Sequence, residues 1–94
     1  MDLGYTIVTR RYKARHGEID LIALDEDVLV FVEVKERRAA GYVPEESVGR
    51  LKLAAMQSAA QQYLESTGET NRGCRFDLVA IDPQGLRHHI DLLS

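Results

Sequence analysis

Apolar and polar positions alternate over short spans for most of this chain and take up a helical period only once. Residues Tyr5 to Arg11 (YTIVTRR) pattern as a first strand, with Ile7 and Val8 between threonines. Residues 17–37, GEIDLIALDEDVLVFVEVKER, pattern as a β-hairpin whose second arm, Val28 to Val32 with Val34, is rich in β-branched residues. From Ser47 or Arg50 to Ser66, Leu53, Met56, Ala60 and Tyr63-Leu64 recur at helical spacing, Leu51, Ala55 and Ala59 widen the stripe, and Gly68 stops it. Arg75 to Asp82 (RFDLVAID) reads as a fourth strand, and Pro83-Gln84-Gly85 turns it into a fifth, Leu86 to Leu93. The order βββαβ(β) predicts an α/β fold with a mixed sheet, in which the strands on either side of the helix run parallel. The chain, residues 1–94, is expected to form a single domain.

Charge interrupts the hairpin at one end. Glu18 and Asp20 lie among the apolar residues of the first arm, and Glu33 and Lys35 among those of the second. If Glu26 and Asp27 form a two-residue turn, Asp25 pairs with Val28, Ile22 faces Phe31, Asp20 faces Glu33 and Glu18 faces Lys35. A four-residue loop closed by Leu24 and Leu29 gives the same pairing, whereas a three-residue loop shifts it. Opposed Cβ atoms lie ~5 Å apart, so two carboxylates there repel unless a positive charge lies between them. A divalent cation, with oxygen ligands at ~2.0–2.4 Å, supplies that charge. The competing expectation is a solvated strand end with ordinary Glu–Lys pairs.

The helix covers one face of the predicted sheet. Val30, Val32 and Val34 point away from Phe31, so the other face is also apolar and is expected to lie open, which predicts a homodimer through it. No apolar run reaches a membrane span and the N-terminus carries no secretory signal. Cys74 is the sole cysteine, which excludes an intrachain disulfide and suits a reducing, cytoplasmic setting. The formal net charge of −3 excludes a general DNA coat. Basic residues nevertheless cluster locally: Arg11, Lys13 and Arg15 (with Arg10) in one stretch, then Arg37, Arg38 and Lys52 in or after the hairpin. These are the candidate nucleic-acid contacts, and Tyr42 in the following loop is a candidate for stacking on a base or packing on its own loop. His16, His88 and His89 lack zinc-ligand spacing.

GEIDLIA, then VFVEVKER, then RFDLVAID together resemble the YraN-like family of uncharacterised bacterial proteins, over nearly the whole chain. That family in turn resembles the PD-(D/E)xK nucleases, the restriction-endonuclease-like and Holliday-junction-resolvase-like domains. The resemblance implies a restriction-endonuclease-like core, here expected to lack the amphipathic helix that usually precedes the Gly4-Tyr5 segment. It implies catalytic roles for Asp20, Glu33 and Lys35, and Mg²⁺ or Mn²⁺ held by Asp20, Glu33 and the Val34 carbonyl, with Glu18 as an additional acidic ligand. Asp77 and Arg75 would support that site. The implied activity is metal-dependent hydrolysis of DNA, branched DNA included. The alternative is an inactive nucleic-acid-binding or assembly module on the same fold. A third reading makes the acid–lysine set a purely structural ion-pair network.

Overall fold

A computed structural model of the chain describes residues 4–36 and 49–92. Five strands, β1 (Thr6–Lys13), β2 (Glu18–Asp25), β3 (Val28–Glu36), β4 (Cys74–Asp82) and β5 (Gly85–His89), lie side by side in that order, with the helix α1 (Arg50–Thr67) between β3 and β4. The β3–β4 pair is parallel and the others are antiparallel, so the mixed α/β sheet in βββαβ(β) order matches the sequence reading.

The hairpin closes on the tightest of the loops considered above. Asp25 pairs with Val28 and Ile22 with Phe31, leaving Glu26 and Asp27 as the turn, with Glu26 at φ 55°. The helix ends where the sequence demands: Gly68 takes φ 74°, and the Glu69 N–H reaches back 2.9 Å to the Leu64 carbonyl. The fifth strand is shorter than Leu86 to Leu93. It stops at His89, because Asp91 turns at φ 63° and Leu92 folds back to bond the Phe76 carbonyl at 2.6 Å.

Alternation along β3 divides the core in two. Leu29 and Phe31 point toward α1 and pack with Ile19, Ile22, Phe76, Met56, Ala59, Ala60, Tyr63 and Leu64. The Phe31 ring lies 5.4 Å from Phe76 and meets Tyr63 edge-on, and each such pair adds ~0.5–1.5 kcal/mol beyond area burial. Val30 and Val32 point the other way and pack with Leu21 and Val79, flanked by Tyr5, Val34 and Ile81. This second face is not open as expected: Val30, Val32 and Val79 are completely buried. Among the described residues the exposed large apolar side chains lie elsewhere, at Ile7 and Val8 on β1, Leu51 at the helix start, and Leu86 and Ile90 in or after β5. The physical basis expected for a homodimer through the sheet face is therefore lost. No described helix is long and apolar enough to cross a membrane.

The turn between β1 and β2 seats against the helix. Ala14 N–H bonds the Gly17 carbonyl at 2.8 Å, and Arg15 N–H bonds the Gln62 side chain at 3.0 Å. A Cβ on Gly17 would lie 2.5 Å from the Ala55 carbonyl oxygen, a backbone atom that cannot rotate away. Gly17 is required here for closeness, not for an unusual φ. Gly17→Ala is expected to destabilise the fold by ~1–3 kcal/mol, the range for forced overpacking, in a urea titration. Unchanged stability would show that the helix does not press on this turn.

Candidate metal and phosphate site

The β2–β3 ladder runs from Asp25–Val28 to Leu21–Val32 and ends there, short of Asp20–Glu33 and Glu18–Lys35. In an antiparallel ladder alternate pairs exchange both bonds, so counting on from Leu21–Val32 the next exchange would join Ile19 to Val34. Instead the Val34 N–H donates to Asp20 Oδ2 at 2.8 Å. A side-chain carboxylate thus replaces a strand carbonyl, and β2 turns out of register with β3. The turn is visible in the packing: Ile19 and Ile22 both join the helix-side cluster, although an odd separation on a regular strand puts side chains on opposite faces. Opposite this break, on β1, Arg11 adopts φ 52° between the pairs Arg10–Leu21 and Tyr12–Ile19.

Glu33 lies on the helix side of β3 and is only 3 % exposed. That burial removes the reading of a solvated strand end. Lys35 Nζ stands 3.4 Å from Glu33 Oε1, and Lys52 Nζ, from the first turn of α1, stands 3.4 Å from Oε2. The second contact is an ion pair without hydrogen-bond direction, since Oε2 is buried with no hydrogen-bond partner. Burial pushes the Glu33 pKa up, the Asp20 charge pushes it further, and Lys52 and Lys35 only partly oppose this. Two lysines offset only part of the cost of burying this acid, and its Oε2, without a hydrogen-bond partner and acted on by a second carboxylate, belongs to a donor set that a hard divalent cation would complete. Asp20 and Glu33 therefore fit a metal.

Glu18 is exposed and sits opposite Lys13 at the far end of the β1–β2 ladder. Among the described residues no group of three His, Cys, Asp or Glu side chains converges, so Glu18 does not join the other two. Arg11 borders a cavity with Asp20, whereas Arg15 lines a separate one with His16, Ser58, Gln61, Gln62 and Glu65. Lys52, read from the sequence as a nucleic-acid contact, is placed on Glu33. Arg37, Arg38 and Tyr42 lie outside the described residues.

Asp77 and Arg75 form a second polar centre on the other face. Asp77 is wholly buried. Its Oδ1 accepts from Arg75 Nε at 3.1 Å and from the Asp91 N–H at 3.0 Å, and His88 Nε2 lies 2.8 Å from its Oδ2. Arg75 also reaches Asp25 at 3.1 Å and stacks over the Tyr5 ring at 5.4 Å. The partners of these two residues are thus Tyr5, Asp25, His88 and Asp91, not Asp20 or Glu33. Burial alone would raise the Asp77 pKa, but Arg75, the Asp91 N–H and His88 outweigh it and hold the carboxyl below its ordinary value. The stability it supplies is present above the unfolded carboxylate pKa and is lost as pH falls.

Two contributions could have been read from the sequence and were not. A helix that returns the chain to a parallel strand begins near the carboxyl end of the preceding strand, which places Lys52 by Glu33. Asp77 and His88 face each other because Val79 pairs with His88 across the β4–β5 turn. The approach of Tyr5 had no local signal.

The family described as "Uncharacterised protein family UPF0102" matches residues 1–81. A UPF0102 protein of Symbiobacterium thermophilum is 47% identical over 81 residues, 85% of this chain and 69% of its own. Relatives of the same name from Desulfosudis oleivorans and Dichelobacter nodosus are 43% and 44% identical, over 96% and 97% of this chain and 72% and 73% of their own.

The raised Glu33 pKa has a consequence without any metal. In the window between the unfolded and folded pKa the native state holds the extra proton, so stability declines as pH rises through it. Glu33→Gln should stabilise the metal-free protein at pH 7 by ~0.5–2 kcal/mol, as relief of a strained functional group commonly does. The gain should shrink as pH is lowered toward the ordinary glutamate range in chemical denaturation. A Gln variant less stable than the parent at neutral pH would contradict this account of Glu33.

Proposed function

This chain belongs to the uncharacterised protein family UPF0102, and from that premise we propose that it is a metal-dependent endonuclease hydrolysing DNA phosphodiester bonds. The observation that carries the reading is Glu33: buried, with Oε2 lacking a hydrogen-bond partner, beside Asp20 and between Lys35 and Lys52. Purely structural ion pairs gain nothing from an orphaned oxygen.

In this reading Asp20, Glu33 and the Val34 carbonyl hold Mg²⁺ or Mn²⁺. When bound, the cation supplies Lewis-acid polarisation of the phosphate and a water acidic enough to attack near neutral pH. The Asp20–Val34 hydrogen bond anchors the N–H of the residue whose carbonyl is to be a ligand. Lys35 orients the attacking water and offsets the negative charge that builds on the phosphorus-bound oxygens. Lys52 favours the ionised form of Glu33 and stands beside its Oε2.

The absence of a third converging carboxylate or histidine among the described residues favours a second reading, a binding module on the same fold that cuts nothing. The two separate in a cleavage panel of single-stranded, duplex and four-way-junction DNA with Mn²⁺ or Mg²⁺. Cutting by the parent, falling by at least ~100-fold in Glu33→Ala, is the expected result, in line with removal of a transition-state stabiliser. Cutting equally by both would locate the activity elsewhere. DNA retained in a gel but never cut would favour the binding module.

A further inference from the structure

Beside Asp20, a cavity of ≈ 250 Å³ is lined by Ile7, Arg10, Arg11, Asp20, Leu21 and Val34. Two pairs of sequence neighbours share it. On regular strands Arg10 and Arg11 would point to opposite faces, as would Asp20 and Leu21. They converge because both strands are irregular at this level: Arg11 takes φ 52°, and Asp20 leaves the ladder to bond Val34. An arginine held at positive φ is strained by on the order of 1–3 kcal/mol, a cost that persists where the surrounding structure imposes it and that collects at functional sites. Among the described residues neither Arg10 nor Arg11 has an acidic partner, whereas Arg72, Arg75 and Arg87 are each ion-paired.

We propose that this cavity is a phosphate seat for a nucleic-acid strand, with Arg10 and Arg11 as its clamp. The guanidinium fork matches phosphate oxygens, and the apolar floor of Ile7, Leu21 and Val34 lowers the local dielectric and strengthens that attraction. The volume lies below the ~300–1,000 Å³ of small-molecule sites and suits one phosphate with its sugar. Asp20 borders the seat and its charge acts on Glu33, so the seat and the proposed metal site share one carboxylate. The choice of a strand, over free phosphate, rests on the nuclease reading.

The test is binding of a fluorescein-labelled DNA strand in EDTA across a KCl series, with melting curves for every variant. Arg10→Gln and Arg11→Gln should each weaken binding severalfold and lower the log–log salt slope by about 0.7–0.9, one phosphate contact apiece. Arg11→Gly should weaken binding equally while melting no lower than the parent, because glycine adopts the positive φ freely. Unchanged affinity and slope in Arg10→Gln and Arg11→Gly, or a parent that does not bind DNA at low salt, would overturn the clamp. Displacement of DNA by stoichiometric inorganic phosphate at matched ionic strength would overturn the strand as its ligand. Binding lost in the arginine variants of a protein that never cleaves would keep the clamp and remove the nuclease reading. Cleavage by a parent whose arginine variants bind DNA normally would do the reverse.

Discussion

The hydrogen bond from the Val34 N–H to Asp20 Oδ2 is the constraint on which the rest of the site depends. The β2–β3 ladder ends beside it, three pairs short of Glu18–Lys35, and it satisfies a donor that the departing strand would leave unpaired, which is costly in a buried setting. Where it forms, Ile19 joins the helix-side core and Asp20 leaves the position directly opposite Glu33 that a regular ladder would give it. On the neighbouring strand the same level carries the strained Arg11. One bond therefore ties Asp20 to the backbone beside Glu33 and lies at the mouth of the basic cavity.

Two buried carboxylates in this sheet meet opposite fates, and the contrast separates architecture from chemistry. Asp77 is given an arginine, a backbone N–H and a histidine, and its pKa falls despite complete burial. Glu33 has two lysines at 3.4 Å and no directed donor on Oε2, and its pKa rises. A fold that satisfies one buried acid so fully does not leave another unsatisfied for lack of means. Burial that destabilises the ionised Glu33 is the property that would let a cation, held as proposed, stabilise the fold.

Much of this was legible in the sequence, for reasons that can be named. The hairpin register followed from the Glu26–Asp27 turn, because a two-residue loop leaves no freedom in pairing. The helix followed from its apolar stripe and Gly68, and the two faces of β3 from simple alternation. The register failed where local rules do: nothing in the residue pattern said that a side chain would replace a ladder carbonyl at Asp20. Extrapolating the hairpin to Asp20–Glu33 and Glu18–Lys35 therefore overran the ladder, which ends at Leu21–Val32. The open second face failed for a different reason. Alternation gives the direction of Val30 and Val32 but not what packs over them, and both are fully buried with Tyr5 from the start of the described chain packed against their cluster. Asp77 and Arg75 pair as their alternation suggests, and Arg75 also meets the hairpin carboxylate Asp25, but both lie away from Glu33 because Glu33 and Asp77 sit on adjacent strands with opposite facing.

Calorimetric titration of Mn²⁺ into the parent, Asp20→Asn and Glu33→Gln proteins tests the central claim, that Asp20 and Glu33 form a cation-ready pair. The parent should bind Mn²⁺ more tightly as pH rises and Glu33 gives up its proton, and neither variant should bind. Equal binding by the parent and Glu33→Gln, or no binding by the parent at millimolar Mn²⁺, would contradict it.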